Sequence, residues 1–195
     1  VIAASEILYK DYNIEKLMRH IFMSDWFYDE NNIGAKIKSP VELMVGIQKI
    51  VPSVFKKQRQ VSYLQKMMGQ ILLYPVNVAG WKGDRYWIDS NSLMFRLKLP
   101  SVLLNNANIS LMPKGEFEDD FSDFYNQKSQ QFKVSDQARA YFETHYANIS
   151  KEELKAILVL PKLDQDTDEM LNIYQHQNAY QYCIQLMSIP EYQLC

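Results

Sequence analysis

A chain of 195 residues that is 47% hydrophobic and 23% charged has an ordinary globular composition, which excludes disorder of the whole chain. It is long enough for one domain or two small ones, and it can bury roughly two-thirds to three-quarters of its unfolded surface without staples. A formal net charge of −2, with lysine and arginine scattered, gives no electrostatic driving force for nucleic acid. The densest basic group, Lys56, Lys57 and Arg59, reads as a solvated helix start.

Only 6 Gly and 7 Pro favour long helices over a many-turned sandwich. The chain opens in a helical pattern, VIAASEILYK, on Val1 and reads as a processed chain or a piece of something longer. No signal peptide is present, and no apolar run reaches the roughly 18 residues needed for a membrane span.

Ile14, Leu17, Met18, Ile21 and Phe22 recur at helical spacing, so residues about 13–23 form an amphipathic helix with Asn13 as N-cap. Ser24 to Gly34 is a polar and aromatic loop with a short helical turn around Trp26–Tyr28. Ser39, Pro40 and Glu42 form the clearest helix start, a capping box with proline in the first turn. That helix runs to about Val51 and buries Val41, Leu43, Met44, Ile47, Ile50 and Val51. A helix over about 57–73 carries Val61, Leu64, Met67, Met68, Ile71 and Leu72, the methionines as core filler.

Asp89 or Ser90 caps a helix over about 91–105, which Pro100 should bend or divide. Asn105 to Gly115 is turn-rich. Phe117, Phe121, Phe124 and Tyr125 make a helical stripe in the acidic stretch 116–132. Ser135 and Asp136 start a helix to about Tyr146. Ser150 to Glu153 is a second capping box, opening a helix that Pro161 ends. Asp166 to Met187 reads as one helix of about 20 residues, stopped before Pro190. Together these predict an all-α, bundle-like domain of about seven to nine helices. Residues 1–105 and 135–195 form two helical groups joined by 106–134, within one compact domain.

Chemical signatures are sparse. His20, His145 and His176 lie in no short ligand spacing. A metal reading therefore needs His145 and His176, or His20 and a carboxylate, to converge in the fold. Asp164, Asp166 and Asp168 resemble a calcium loop only in their alternation, and they suit a helix N-terminus. No nucleophile elbow, phosphate loop or dinucleotide fingerprint occurs, so no catalytic residue, cofactor or metal site is assigned. The two cysteines form neither a disulfide framework nor a zinc pattern. Cys183 reads as a buried thiol, and pairing with Cys195 requires the tail to fold back.

The loop 75–89 stands apart. Trp81, Tyr86 and Trp87 supply flat apolar faces, while Asn77, Lys82, Asp84 and Arg85 supply polar edges. Such a set suits a sugar ring, and indoles can hold cations. It also suits a plug, the reading that the capped flanking helices favour, with both indoles buried and Arg85 paired to Asp84 or Asp89. Gly80 and Gly83 fit a chain that turns tightly. Both readings stay open at this level.

Four segments carry a family resemblance. They are Met23-Ser24-Asp25-Trp26-Phe27-Tyr28; Ile37-Lys38-Ser39-Pro40-Val41-Glu42-Leu43; Met68-Gly69-Gln70 leading into Tyr74-Pro75-Val76-Asn77-Val78-Ala79-Gly80-Trp81; and Trp87-Ile88 followed by Arg96. In this order, over residues about 6–100, they resemble the bacterial family known as domain of unknown function 1800, and look like its C-terminal portion. Where that family often has two prolines before the Val-Asn pair, Tyr74 precedes a single Pro75 here. The ending Met187-Ser188-Ile189-Pro190-Glu191-Tyr192-Gln193-Leu194-Cys195 looks like the natural C-terminus of some members. The resemblance implies an exported protein and a longer parent chain whose upstream half is a partner of this one. It assigns no activity.

The function expected is a non-catalytic scaffold or binding module for a glycan or surface protein. The alternative is part of a hydrolase whose catalytic residues lie mainly upstream.

Overall fold

The computed structural model describes residues 2–53, 55, 58–105, 108–109, 130–131 and 137–195. Packing divides the chain into two units, Val1–Ala35 and Lys36–Cys195. The fold is all-α. Among the described residues, extended pairing is limited to Asn108–Ile109 against Gln130–Gln131 and to isolated bridges. The remainder of the acidic stretch with Phe117, Phe121, Phe124 and Tyr125 lies outside the described residues, as do Ser135, Asp136, Lys56 and Lys57.

The first unit contains α1 (Ile2–Asp11) and α2 (Ile14–Phe22), packed against each other and joined through Tyr12 in the left-handed region. The Asn13 side chain caps α2 by accepting from the Lys16 amide. A 3₁₀ turn, Asp25–Tyr28, follows where the short helical turn is expected. It sets Phe27 edge-on against Phe22, Trp26 and Tyr28.

The second unit begins at α3 (Pro40–Ile50). Ser39 and Glu42 complete the reciprocal capping box, and Pro40 fills the first turn, satisfying donors that have no partner inside the helix. Leu43, Met44 and Ile47 enter the core with Val51, while Val41 and Ile50 are only partly covered.

The next helix, α4 (Gln58–Met67), is shorter than its apolar pattern suggests. Gly69 takes φ +86°. Its amide bonds to the Lys66 carbonyl at 3.0 Å, and the Gln70 amide bonds to the Gln65 carbonyl at 3.0 Å. This pair of bonds is the Schellman ending, with glycine at the left-handed position. Ile71 and Leu72 therefore leave the helix, and Leu72 is exposed. Met68 is buried, as its core-filling role requires.

Helix α5 (Ser90–Leu104) starts on Asp89, whose side chain accepts from the Asn91 and Ser92 amides. It continues undivided through Pro100. Phe95, Leu99, Val102, Leu103 and Leu104 bury, so α5 is covered along most of its surface.

After α6 (Gln137–His145), α7 (Lys151–Leu158) opens on the Ser150–Glu153 capping box. The stretch read as one long C-terminal helix is two: α8 (Gln165–Ile173) and α9 (Ala179–Met187), separated by a 3₁₀ turn, Tyr174–His176. Gln177 is extended, and Asn178 caps α9 through the Gln181 amide. The Lys151 ammonium donates to the Gln175 and Gln177 carbonyls, holding the break open.

Helix α9 packs against α5, α6 and α7. The Tyr180 hydroxyl donates to the Leu104 carbonyl at 2.7 Å. Helices on both sides of the 106–134 segment thus share one core. Beyond α9 the tail folds back. Lys36 and Cys195 exchange backbone bonds of 3.1 and 2.8 Å, and the Lys38 amide donates to the Gln193 carbonyl at 2.8 Å. Despite that return, Cys183 is a buried free thiol and Cys195 a partly covered one.

Candidate functional site

The aromatic loop is built on fixed points. The Gln70 side chain accepts from the Val41 amide at 3.1 Å, satisfying a first-turn donor of α3. The Gln65 side chain accepts from the Leu72 amide at 2.9 Å. Asn77 folds the next turn: its side-chain oxygen accepts from Ala79 and its carbonyl from Gly80, which adopts φ +84°. At the far end, Ser92 Oγ donates to the Trp87 carbonyl at 3.0 Å and accepts from the Asp89 amide at 2.8 Å. The α5 cap and the loop exit are therefore one hydrogen-bonded unit.

The sequence-derived site residues divide. Trp87 is 8% exposed and anchors the loop, whereas Trp81 is partly covered. Asn77, Asp84, Arg85 and Tyr86 face solvent, and Tyr86 is 74% exposed. The Lys82 ammonium sits 4.9 Å from the Tyr86 ring centroid, within cation–π range. Among the described residues Arg85 has no ion pair with Asp84 or Asp89, and Asp89 caps α5 instead.

Leu72, Leu73, Tyr74, Val76 and Val78 are all exposed ahead of the aromatics, with Leu73 at 88%. The chain therefore presents an apolar strip on a backbone tied at both ends. The exposed aliphatic stretch becomes visible only once α4 is seen to end at Met67; the glycine at position 69 was its sequence signal.

A second constellation lies inside the same unit, and composition gives no hint of it. Arg96 is fully buried on α5. Its Nε donates to Gln193 Oε1 at 3.1 Å and its Nη2 to the Lys38 carbonyl at 2.5 Å. The Lys38 ammonium donates to the Tyr192 carbonyl at 2.6 Å and lies 4.0 Å from the Tyr192 ring centroid. Desolvation pushes Arg96 down to about 10 and also lowers Lys38. Among the described residues, no carboxylate pairs with either cation. Glu42 engages Lys36 at 2.5 Å, and that bond, followed by the Ser39 amide, holds its carboxyl below the usual range. Lys38 and Arg96 come from two of the four segments that carry the family resemblance, and Gln193 from the C-terminal ending.

The histidines give no centre. His145 stacks on Tyr141 at 3.8 Å, with Nδ1 2.9 Å from the Tyr141 carbonyl, and His176 is exposed. Among the described residues no group of three or more His, Cys, Asp or Glu gathers to hold a metal, and no helix is long and apolar enough to cross a membrane. Asp164 caps α8 through the Thr167 amide, and Asp168 pairs with Lys155. The acidic cluster is thus engaged in helix-start electrostatics.

The fold and this surface define an all-α domain that presents an ordered apolar loop. The chain belongs to the family described as "Protein of unknown function (DUF1800)", whose model matches residues 3–194. The match takes in the C-terminal half as well as the segments before residue 100. No curated protein and no solved structure matches the chain.

Proposed function

We propose that this chain is a non-catalytic helical binding module of an exported protein, and that it docks a protein partner through the loop from Leu72 to Trp87. The supporting observation is the exposed strip of Leu72, Leu73, Tyr74, Val76 and Val78 with Tyr86, held on a backbone fixed by Gln65, Gln70 and Ser92. Contiguous apolar exposure marks interaction surfaces, and an ordered loop loses little conformational entropy on binding.

The chemistry favours a protein over a glycan. Sugar recognition needs broad aromatic faces beside hydrogen-bonding groups, and the Trp87 face is buried. What remains outside is mainly aliphatic. In this reading Trp81 and Tyr86 sit at the edge of the contact, and Asn77, Asp84 and Arg85 form its polar rim. Trp87 positions the loop without touching the partner.

The test is site-specific photo-cross-linking in the producing cell. A photoreactive residue at Tyr74 or Val78 should capture one discrete separate protein. The same group at Arg139 should not, and Val78→Asp should abolish capture from Tyr74. Capture of a polysaccharide, capture within the same polypeptide, or equal labelling at Arg139 overturns the reading.

A further inference from the structure

The first unit presents an aromatic surface of its own. Phe22, Trp26, Phe27 and Tyr28 form one contiguous cluster in which Phe27 lies edge-on to the other three, at centroid distances of 5.1, 6.1 and 5.3 Å. The turn beneath it is pinned. Asn32 Nδ2 donates to the Trp26 carbonyl at 2.5 Å, and the Phe27 amide donates to the Ser24 carbonyl at 3.0 Å. All four rings are exposed, Trp26 by 57% and Tyr28 by 69%, as are the neighbouring Met23 and Ile33. From Met23 to Ala35 the charged residues are Asp25, Asp29 and Glu30, all exposed, with no lysine or arginine. Among the described residues none of these acids is in an ion pair. Nor does a cation rest on Trp26 or Tyr28, whereas Lys38, Lys82 and Lys151 rest on Tyr192, Tyr86 and Tyr182.

Exposed rings beside unpaired carboxylates complement a partner that brings positive charge and apolar surface together. Arginine does both, because its guanidinium stacks on aromatic faces and pairs with carboxylates. We propose that this cluster docks a polypeptide segment presenting arginines among apolar side chains. The arginines stack on Trp26 and Tyr28 and pair with Asp25, Asp29 and Glu30, while the apolar side chains cover Phe22, Met23 and Ile33. A second copy of the same patch fits poorly, since a two-fold contact sets these three acids against their own counterparts. A bilayer surface, neutral or anionic, offers them no counter-charge.

The experiment titrates the whole chain with two synthetic amphipathic peptides, one of leucine and arginine and the other with glutamate in place of arginine. Calorimetry should show saturable binding of the arginine peptide that weakens as salt rises, and none of the glutamate peptide. Trp26→Ala should weaken binding roughly tenfold. Asp25→Asn, Asp29→Asn and Glu30→Gln together should weaken it roughly fivefold. Asparagine at position 29 keeps an acceptor for the Asn31 amide, so the turn is retained. A matched loss of three exposed acids in the other unit, Glu152→Gln, Asp166→Asn and Glu169→Gln, should leave binding unchanged. Absence of saturable binding, an equal loss from both neutralised sets, or equal binding of the glutamate peptide overturns the proposal. So does self-association, or binding to phosphatidylglycerol vesicles, that Trp26→Ala abolishes. Should Trp26→Ala not fold, the comparison of the two neutralised sets decides the matter.

Discussion

Arg96 Nε donates to the side-chain carbonyl of Gln193 at 3.1 Å, joining residues 97 positions apart. The same guanidinium reaches the Lys38 carbonyl. One side chain thereby ties α5 to the segment before α3 and to the returning tail. Arg96→Ala leaves both acceptors without their donor and opens a void, so a loss of about 2–4 kcal/mol is expected. Arg96→Met keeps volume and removes the unpaired charge, so it should lose less, about 0–2 kcal/mol. Denaturant midpoints of the two variants check the order; an alanine variant as stable as the methionine variant contradicts this role.

Trp87 and Tyr86 are neighbours with opposite exposure. Trp87→Ala should cost about 3–5 kcal/mol, as truncation of a buried aromatic does. Tyr86→Ala should stay within about 0.5 kcal/mol of the parent chain, because its ring lies outside the core. Calorimetry on both variants separates anchor from surface. The binding reading further requires Tyr86→Ala to weaken partner capture while leaving melting unchanged.

Two glycines respond in opposite directions to alanine. At Gly69 an added Cβ meets nothing within 4 Å, so the φ of +86° is the whole cost. Gly69→Ala should lose about 1–2 kcal/mol. Gly46 lies inside α3, and a Cβ there meets only the Tyr192 hydroxyl at 3.5 Å, an ordinary contact. Gly46→Ala should gain about 0.5–1 kcal/mol from helix propensity. Urea titrations of the pair check the signs.

The alkaline limb of stability has a specific source. Burial pushes the Cys183 thiol from 9.0 up to about 12, and the Tyr180 hydroxyl from 10.0 up to about 12. In each case the native state keeps a proton that the unfolded chain releases. The contribution is fully present below the unfolded value and is lost as pH rises towards the native one. Lys38 and Arg96, lowered by desolvation, act in the opposite sense as pH rises towards their unfolded values. Between pH 9 and 10 the contribution of the Cys183 thiol approaches a slope of about 1.4 kcal/mol per pH unit. Cys183→Ala should therefore lose less stability than the parent chain over that interval. Parallel slopes for the two chains exclude this assignment.

Much of the helical framework was legible because its signals are local. Ser39 with Glu42, Asp89 before Ser90, and Ser150 with Glu153 each close hydrogen bonds within three residues, so residue type and spacing reveal them. Two boundaries were masked by apolar periodicity. The pattern continues past Met67 through Ile71 and Leu72, although Gly69 turns the chain into the left-handed region. It also runs from Leu171 into Tyr180, where Asn178 and a lysine from another helix impose the break. The aromatic loop could be located but not divided into inside and outside, because Trp81, Tyr86 and Trp87 are chemically alike in sequence. Lys38 and Arg96 stand in segments that carry the family resemblance, yet nothing in their spacing marked them as one site. The acceptors of Arg96 are a main-chain carbonyl and an amide, brought together only by tertiary packing.

The return of residues 193–195 to Lys36 and Lys38 has a consequence for biosynthesis. A nascent chain that has not yet reached Gln193 has no side-chain acceptor for Arg96 Nε, and its Lys38 ammonium has no Tyr192 carbonyl. Contacts that span 154 positions form only after a large loop closes, which makes them slow. Cotranslational intermediates of this unit would therefore leave the Arg96 guanidinium and the Lys38 ammonium without these partners until the tail is made.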